Sequence, residues 1–132
     1  MNKEPRTISP VSGRIIRRFG TQRHPITGKT AFHNGVDIAC PVGTTIIAPE
    51  DGLVLDVWED QKGGLSLSII SYDCTRFGFA HLSKQLVRKG EELETGQPIA
   101  LSGNTGLSTG PHLHLTVKKY GVFVDPVEYF DF

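Results

Sequence analysis

Apolar and polar positions in this chain alternate with period two over short runs, and no long segment keeps the 3.6-residue period of an amphipathic helix. The clearest run is Leu65-Ser66-Leu67-Ser68-Ile69, whose strict alternation implies one buried face. Strands are expected near Gly13–Phe19, Val36–Ala39, Thr44–Ala48, Leu53–Glu59, Leu65–Tyr72, Phe77–His81, Pro98–Ser102, His112–Tyr120 and Val122–Val124, and only Ser83–Lys89 reads as a helical turn. Fifteen glycines and eight prolines punctuate these runs. Pro49-Glu50-Asp51-Gly52, Lys62-Gly63-Gly64, Gly103-Asn104-Thr105-Gly106 and Gly121 carry turn chemistry. The texture is that of an all-β sandwich or barrel, and with no linker or repeat in view, residues 1–132 are expected to form one domain.

The alternation has a consequence at Ser108-Thr109-Gly110-Pro111-His112-Leu113-His114-Leu115-Thr116-Val117. Leu113, Leu115 and Val117 take one face of a strand, so His112 and His114 share the other with Thr116 and Lys118. Two imidazoles on the face away from the core point to water or to a site. A second cluster lies at His33-Asn34-Gly35-Val36-Asp37-Ile38-Ala39, where Asn34-Gly35 reads as a turn entering a strand that brings His33 and Asp37 together. Imidazole and carboxylate are ordinary zinc donors, and a catalytic zinc takes about three protein ligands with one position left open. His33 and Asp37 supply two, and one histidine of the His112/His114 pair can supply the third. The other, with His81 of Phe77-Gly78-Phe79-Ala80-His81-Leu82-Ser83, then remains an imidazole beside the metal, able to move a proton near neutral pH. His24 has no partner in this pattern and is read as structural.

Composition narrows the partners. Lys plus Arg and Asp plus Glu both total 14, so no polybasic footprint marks a nucleic-acid binder and no nucleic-acid partner is expected. Residues 1–32 nonetheless hold seven basic side chains (Lys3, Arg6, Arg14, Arg17, Arg18, Arg23 and Lys29) against Glu4, leaving the remainder net acidic by six. Such a cluster is read first as a solvated face and second as a contact for an anionic polymer. No apolar run has the length of a membrane span and no signal-peptide hydrophobic region opens the chain, so membrane insertion and self-export are not expected. Cys40 and Cys74 lack C-x-x-C spacing and are read as small hydrophobes, with their redox state open.

Taken in order, HNGVDIACPVGTTIIAPEDG, FAHLS, KGEELETGQPIALSGNTG and STGPHLHLTV resemble the M23 family of zinc metallopeptidases, the lysostaphin-like or LytM-type peptidoglycan endopeptidases, over about Ile8 to Tyr129. The resemblance implies an antiparallel β-sandwich of the duplicated hybrid motif type, with a zinc-containing groove framed by loops. It implies His33, Asp37 and His114 as ligands of one Zn2+ per chain, and His81 and His112 as the catalytic pair. The implied reaction is hydrolysis of stem or cross-bridge peptide bonds in bacterial peptidoglycan, often next to glycine, by a monomer acting at the cell wall or periplasm. Asn104, Thr105 and Thr109 precede the His112 strand and are expected to bind substrate, with Gly63-Gly64 forming a further wall of a groove that favours small residues at the scissile bond.

This chain departs from the family in having Phe79 where Tyr is common, in Gly64-Leu65-Ser66, and in the short connection Tyr72-Asp73-Cys74-Thr75-Arg76. These touch substrate preference and remove no ligand. Two rival readings exist. Degenerate M23-like modules bind or activate other wall hydrolases, but they lack ligands, and all five positions are filled here. HNGVDIA and KGEELETGQPIA also resemble histidine phosphocarriers of the glucose IIA type, which would leave the H-x-H strand unexplained; a lipoyl or biotinyl carrier would need a hairpin-tip lysine that is not found. Without an export signal, the chain is expected to reach the wall as a fragment of an exported protein, by phage release, or as a delivered effector.

Overall fold

The computed structural model describes residues 8–23 and 26–132; His24, and Lys3, Glu4 and Arg6 of the basic cluster, lie outside them. Among the described residues, twelve strands and one short 3-10 turn follow one another as β1 (Ile15–Arg17), β2 (Gly20–Arg23), β3 (Thr30–His33), β4 (Val36–Ala39), β5 (Thr45–Ile47), β6 (Gly52–Asp60), β7 (Gly64–Ser71), β8 (Arg76–Gln85), β9 (Glu92–Leu93), β10 (Pro98–Ser102), β11 (His112–Lys119), β12 (Val122–Val124) and the turn Pro126–Glu128. All pairings are antiparallel. The main sheet runs β1-β4-β11-β8-β7-β6-β9, with β12 beside β11 and a branch through β10 to β5, while β2 and β3 pair as a separate hairpin.

The branch explains how one hydrogen-bonded sheet makes the two layers of the expected antiparallel sandwich. The first half of β8 pairs with β11 (Ala80 opposite His114, Gly78 opposite Thr116), and its second half pairs with β10 (Leu82 opposite Ser102, Gln85 opposite Ala100). Strand β8 therefore changes partner at His81. Inward side chains from both branches, among them Ile38, Ile46, Leu67, Phe77, Phe79, Ile99, Leu113 and Leu115, share one buried core. Each large aliphatic or aromatic side chain of this kind contributes roughly 1.5–3 kcal/mol of transfer free energy.

Two expectations are corrected. Ser83–Lys89 is not helical: Ser83, Lys84 and Gln85 continue β8, because the β10 edge claims their backbone, and Leu86 N–H donates to the Ile99 carbonyl at 2.9 Å. Tertiary pairing overrides the weak helical preference of Lys, Gln and Leu. The expected Gly13–Phe19 strand is only Ile15–Arg17, and the chain re-enters extended structure at Gly20, whose φ of 113° only glycine adopts freely. The β2–β3 hairpin and the two-residue β9 were not anticipated. The turn between β11 and β12 is made by Tyr120 (φ 51°) and Gly121 (φ 79°), as a two-residue hairpin requires.

Candidate metal centre and groove

Strand β3 ends at His33, Asn34-Gly35 turn the chain, and β4 begins at Val36. Gly35 is needed there because a Cβ would collide with the Leu115 carbonyl of the neighbouring strand. Val36 and Ile38 enter the core, so Asp37 faces the opposite side, directly across from His114 of β11 and from Arg17 of β1. His33 Nε2 lies 3.4 Å from Asp37 Oδ2, and His114 Nδ1 lies 2.7 Å from Asp37 Oδ1. One donor atom from each of His33, Asp37 and His114 falls within 4.8 Å of the others. Zinc bonds of roughly 2.0–2.2 Å place tetrahedral donors about 3.3–3.6 Å apart, so this cluster of two imidazoles and a carboxylate fits zinc in chemistry, and its donor separations, from 2.7 Å to within 4.8 Å, lie on either side of that range.

The outward nitrogens fix which ring atom each histidine offers. A carbonyl can only accept, so His33 Nδ1–H donates to the Arg18 carbonyl at 2.9 Å and Nε2 keeps its lone pair toward Asp37. Nε2–H of His114 donates to Asn34 Oδ1 at 3.0 Å, which turns Nδ1 inward. The Nδ1–H of His81 donates to the Thr105 carbonyl at 2.7 Å and that of His112 to the Gly110 carbonyl at 2.8 Å, leaving both Nε2 atoms as acceptors. Orientation of this kind, from outside the donor set, is how proteins hold a ligand's tautomer and tune its basicity. Asn34 was legible in the sequence only as a turn residue; its role depends on β4 lying beside β11.

Electrostatics agree with this arrangement. Burial pushes the Asp37 carboxyl up, but without a metal a proton on His114 Nδ1 is shared with Asp37 Oδ1, and this contact with the charge of the surrounding imidazoles outweighs burial, so the net shift is down, toward the carboxylate; a metal takes the place of that proton. Burial lowers the His33 and His81 imidazoles below their ordinary value of 6.5, only partly opposed by their bonds to the Arg18 and Thr105 carbonyls. Both are therefore neutral, with a lone pair available, at pH 7. Arg17 Nη1 stands 3.9 Å from Asp37 Oδ2 at the exposed rim.

His81 reaches the site through a bulge. Between Leu67 opposite Phe79 and Leu65 opposite Leu82, β8 has one residue more than β7. His81 takes the left-handed conformation, φ 63°, and its N–H donates to the Gly63 carbonyl at 2.7 Å. An extra residue in one strand re-aims a side chain that alternation would send elsewhere. The His81 ring centroid lies 4.8 Å from that of His112 and 6.3 Å from that of His114. His112 is 8 % exposed, with Nε2 at 3.7 Å from Asp37 Oδ1, outside the cluster of three donors.

These residues line a groove of about 1010 Å³ whose walls include Trp58, Lys62 and Gly63 on one side and Leu107 to Pro111 on another. Thr109 is on that lining, whereas Asn104 and Thr105 are not. Thr105 instead acts beneath the wall: its hydroxyl donates to the Leu82 carbonyl at 2.6 Å and accepts from Leu65 N–H at 3.1 Å. The Trp58 indole N–H donates to Asp60 Oδ2 at 3.1 Å, and Asp60 Oδ1 accepts from Gly63 N–H at 2.6 Å, so the Trp58 wall and the glycine turn are held by one carboxylate. Trp58, Lys62 and Leu107 were missed in the sequence; only the parity that sets Trp58 opposite Ser66 signals the first of them.

Comparison with known proteins follows the same lines. Residues 31–126 match Peptidase family M23. The chain is 43% identical over 102 residues to peptidoglycan DD-endopeptidase ShyA of Vibrio cholerae, covering 76% of this chain and 24% of that protein. It is 44% identical over 108 residues to an uncharacterized metalloprotease of Haemophilus influenzae, covering 80% and 22%. The chain thus spans about a quarter of the length of these relatives. Among solved structures, a zinc-containing peptidase from Vibrio cholerae superposes with a TM-score of 0.83 at 38% identity, over 89% of this chain and 37% of that one. The catalytic domain of the antimicrobial peptidase lysostaphin from Staphylococcus simulans superposes with a TM-score of 0.78 at 30% identity, over 89% and 91%.

Proposed function

The chain belongs to Peptidase family M23, and from that premise we propose that it is a zinc-dependent endopeptidase cutting stem or cross-bridge peptide bonds of bacterial peptidoglycan. The observation that carries the reading is the convergence of the His33, Asp37 and His114 donor atoms within 4.8 Å, in one groove with the imidazoles of His81 and His112. All five residues come from one chain, so a monomer with one zinc ion suffices, and residues 1–132 act as a single metallopeptidase domain.

A zinc ion held by His33, Asp37 and His114 supplies Lewis acidity toward the scissile carbonyl and toward water. The protein's part is orientation and proton traffic. His112 Nε2, freed by the bond from Nδ1 to Gly110, takes a proton from the attacking water and returns it to the leaving amine. His81 Nε2, freed in the same way by the bond from Nδ1 to Thr105, shares that proton with His112, and the imidazolium so formed stabilises developing negative charge on the carbonyl oxygen. Thr109 and its neighbours to Pro111 hold the peptide against the Trp58 side of the groove. No helix among the described residues is long and apolar enough to cross a membrane. The enzyme acts outside the cytoplasmic membrane, at the wall or periplasm, reaching it within a longer exported protein, by phage release or as a delivered effector.

The test is digestion of purified peptidoglycan by the zinc-loaded protein, with fragments identified by mass spectrometry before and after chelation. Cleavage of peptide bonds that disappears with the metal and returns on adding zinc is expected. A protein that holds one zinc and releases no fragment from walls of different cross-bridge types refutes the reading.

A further inference from the structure

The groove does not end at the metal centre. Strands β8 and β11 run on side by side, Ala80 opposite His114, Gly78 opposite Thr116 and Arg76 opposite Lys118, while Phe77, Phe79, Leu115 and Val117 between them are buried on the other face. With Ser66 and Ser68 of β7 these residues floor a second cavity of about 300 Å³ between Trp58 and Phe123, and it shares Asn34, Trp58, Ser66, Ala80, His114 and Phe123 with the main groove. The cavity is left open because side chains along its floor, at Ser66, Ser68, Gly78 and Ala80, are small. At Gly78 a Cβ would stand 2.5 Å from Thr116 Oγ1, so no larger residue fits without moving that hydroxyl.

At the far end two cations face each other. Like charges directly opposite across a strand pair destabilise a sheet. Yet Arg76 and Lys118 are cross-strand partners, and neither makes an ion pair with a carboxylate among the described residues. The Lys118 ammonium is held 4.7 Å from the centre of the Phe123 ring, at the cavity wall. Lys118 lies four positions along β11 from His114, about 14 Å at roughly 3.4 Å per residue. The same length is spanned by an extended peptide of about four residues.

We propose that this arm is an anionic-peptide subsite, in which Arg76 and Lys118 pair with a free carboxylate that the substrate carries two to four residues from the bond being cut. The proposal rests on the endopeptidase reading of the adjoining centre and adds to it a requirement for charge. A carboxylate bridging the two cations relieves their repulsion and gains charge-assisted hydrogen bonds, whereas an amidated or neutral peptide leaves the repulsion in place.

Soluble cross-linked muropeptides, and the same muropeptides with their carboxylates converted to methylamides by carbodiimide coupling, separate the possibilities. The zinc-loaded parent is expected to show kcat/KM roughly tenfold higher on the native material, equivalent to about one charge-assisted pair, with the ratio shrinking as salt rises. In the double variant Arg76→Gln, Lys118→Gln the ratio falls to about 1, while zinc content matches the parent and the thermal melt is no lower. A variant that keeps the parent's ratio, or a parent that cuts both materials alike, overturns the proposal. Calorimetric binding of the two muropeptide pools provides the second readout. If the parent cuts neither pool, the endopeptidase reading fails, and binding decides the subsite: tighter binding of the native pool that is lost in the double variant supports it, and equal binding refutes it.

Discussion

His81 occupies a conformation that suits glycine, and this makes an unusual stability experiment possible. At an ordinary strand position glycine is less stable than alanine by about 0.5–1 kcal/mol. At φ 63° a residue with a Cβ costs about 1–2 kcal/mol that glycine does not. Against this stands the greater freedom of glycine in the unfolded chain, about 0.4–1 kcal/mol. His81→Ala and His81→Gly both lose the bond from the imidazole to the Thr105 carbonyl, about 1 kcal/mol each, so that loss cancels in the comparison. The glycine variant should therefore be the more stable of the two by about 0.5–1 kcal/mol, a melting difference of about 2–4 °C for a chain of this size. Urea titrations with equal slopes and thermal melts, both at saturating zinc, measure it. Both variants should lose turnover on the order of 10²–10⁴-fold while keeping the metal. An alanine variant more stable than the glycine variant refutes the bulge as a strained, functional device.

Replacing Asp37 or His114 with alanine should abolish stoichiometric zinc and cleavage together, as chelation does reversibly, whereas His112→Ala should keep the metal and lose most turnover; zinc loss in the His112 variant refutes the division of roles. Removing the Asn34 carbonyl by Asn34→Ala should weaken zinc roughly 10–100-fold in a competition titration with a coloured chelator, and an unchanged affinity refutes its hold on His114. Because burial lowers His33 and His81 below 6.5, the unfolded chain binds more protons than the folded one once the pH falls below about 6.5. Stability of the metal-stripped protein should be fully present above that pH and decline as the pH is lowered through the shifted values, and urea midpoints that rise on acidification refute it.

Parity made much of the site legible in the sequence. Leu113, Leu115 and Val117 could face only the core, which left His112 and His114 on the groove side, and Asn34-Gly35 announced the turn that joins His33 to Asp37. The direction of His81 was not legible, because it depends on one extra residue in β8 relative to β7, a register fact that no local pattern carries. The Ser83–Lys89 segment misleads for a related reason: its partner, β10, lies about fifteen residues further on and is invisible to a local reading. The β2–β3 hairpin has few apolar residues, and Ile26 beside it is exposed, so period two had little there to register. Thr105 sat in the expected loop, but its hydroxyl turns inward to Leu82 rather than outward to substrate.

Asp37 and His114 stand 77 residues apart along the chain and meet only because β11 lies between β4 and β8. During synthesis from the amino end, His33 and Asp37 emerge long before His112 and His114, so the growing chain carries half a site until β11 zips into place. Register decides whether that last step completes the donor set. A slip of one residue would turn His112 and His114 into the core and Leu113, Leu115 and Val117 into water, forfeiting roughly 1.5–3 kcal/mol for each of the three. The burial that draws the strand home thus also proofreads the candidate metal centre. Chains cut short before residue 112 should hold zinc weakly and cleave nothing, so the proposed activity would appear only when folding is finished.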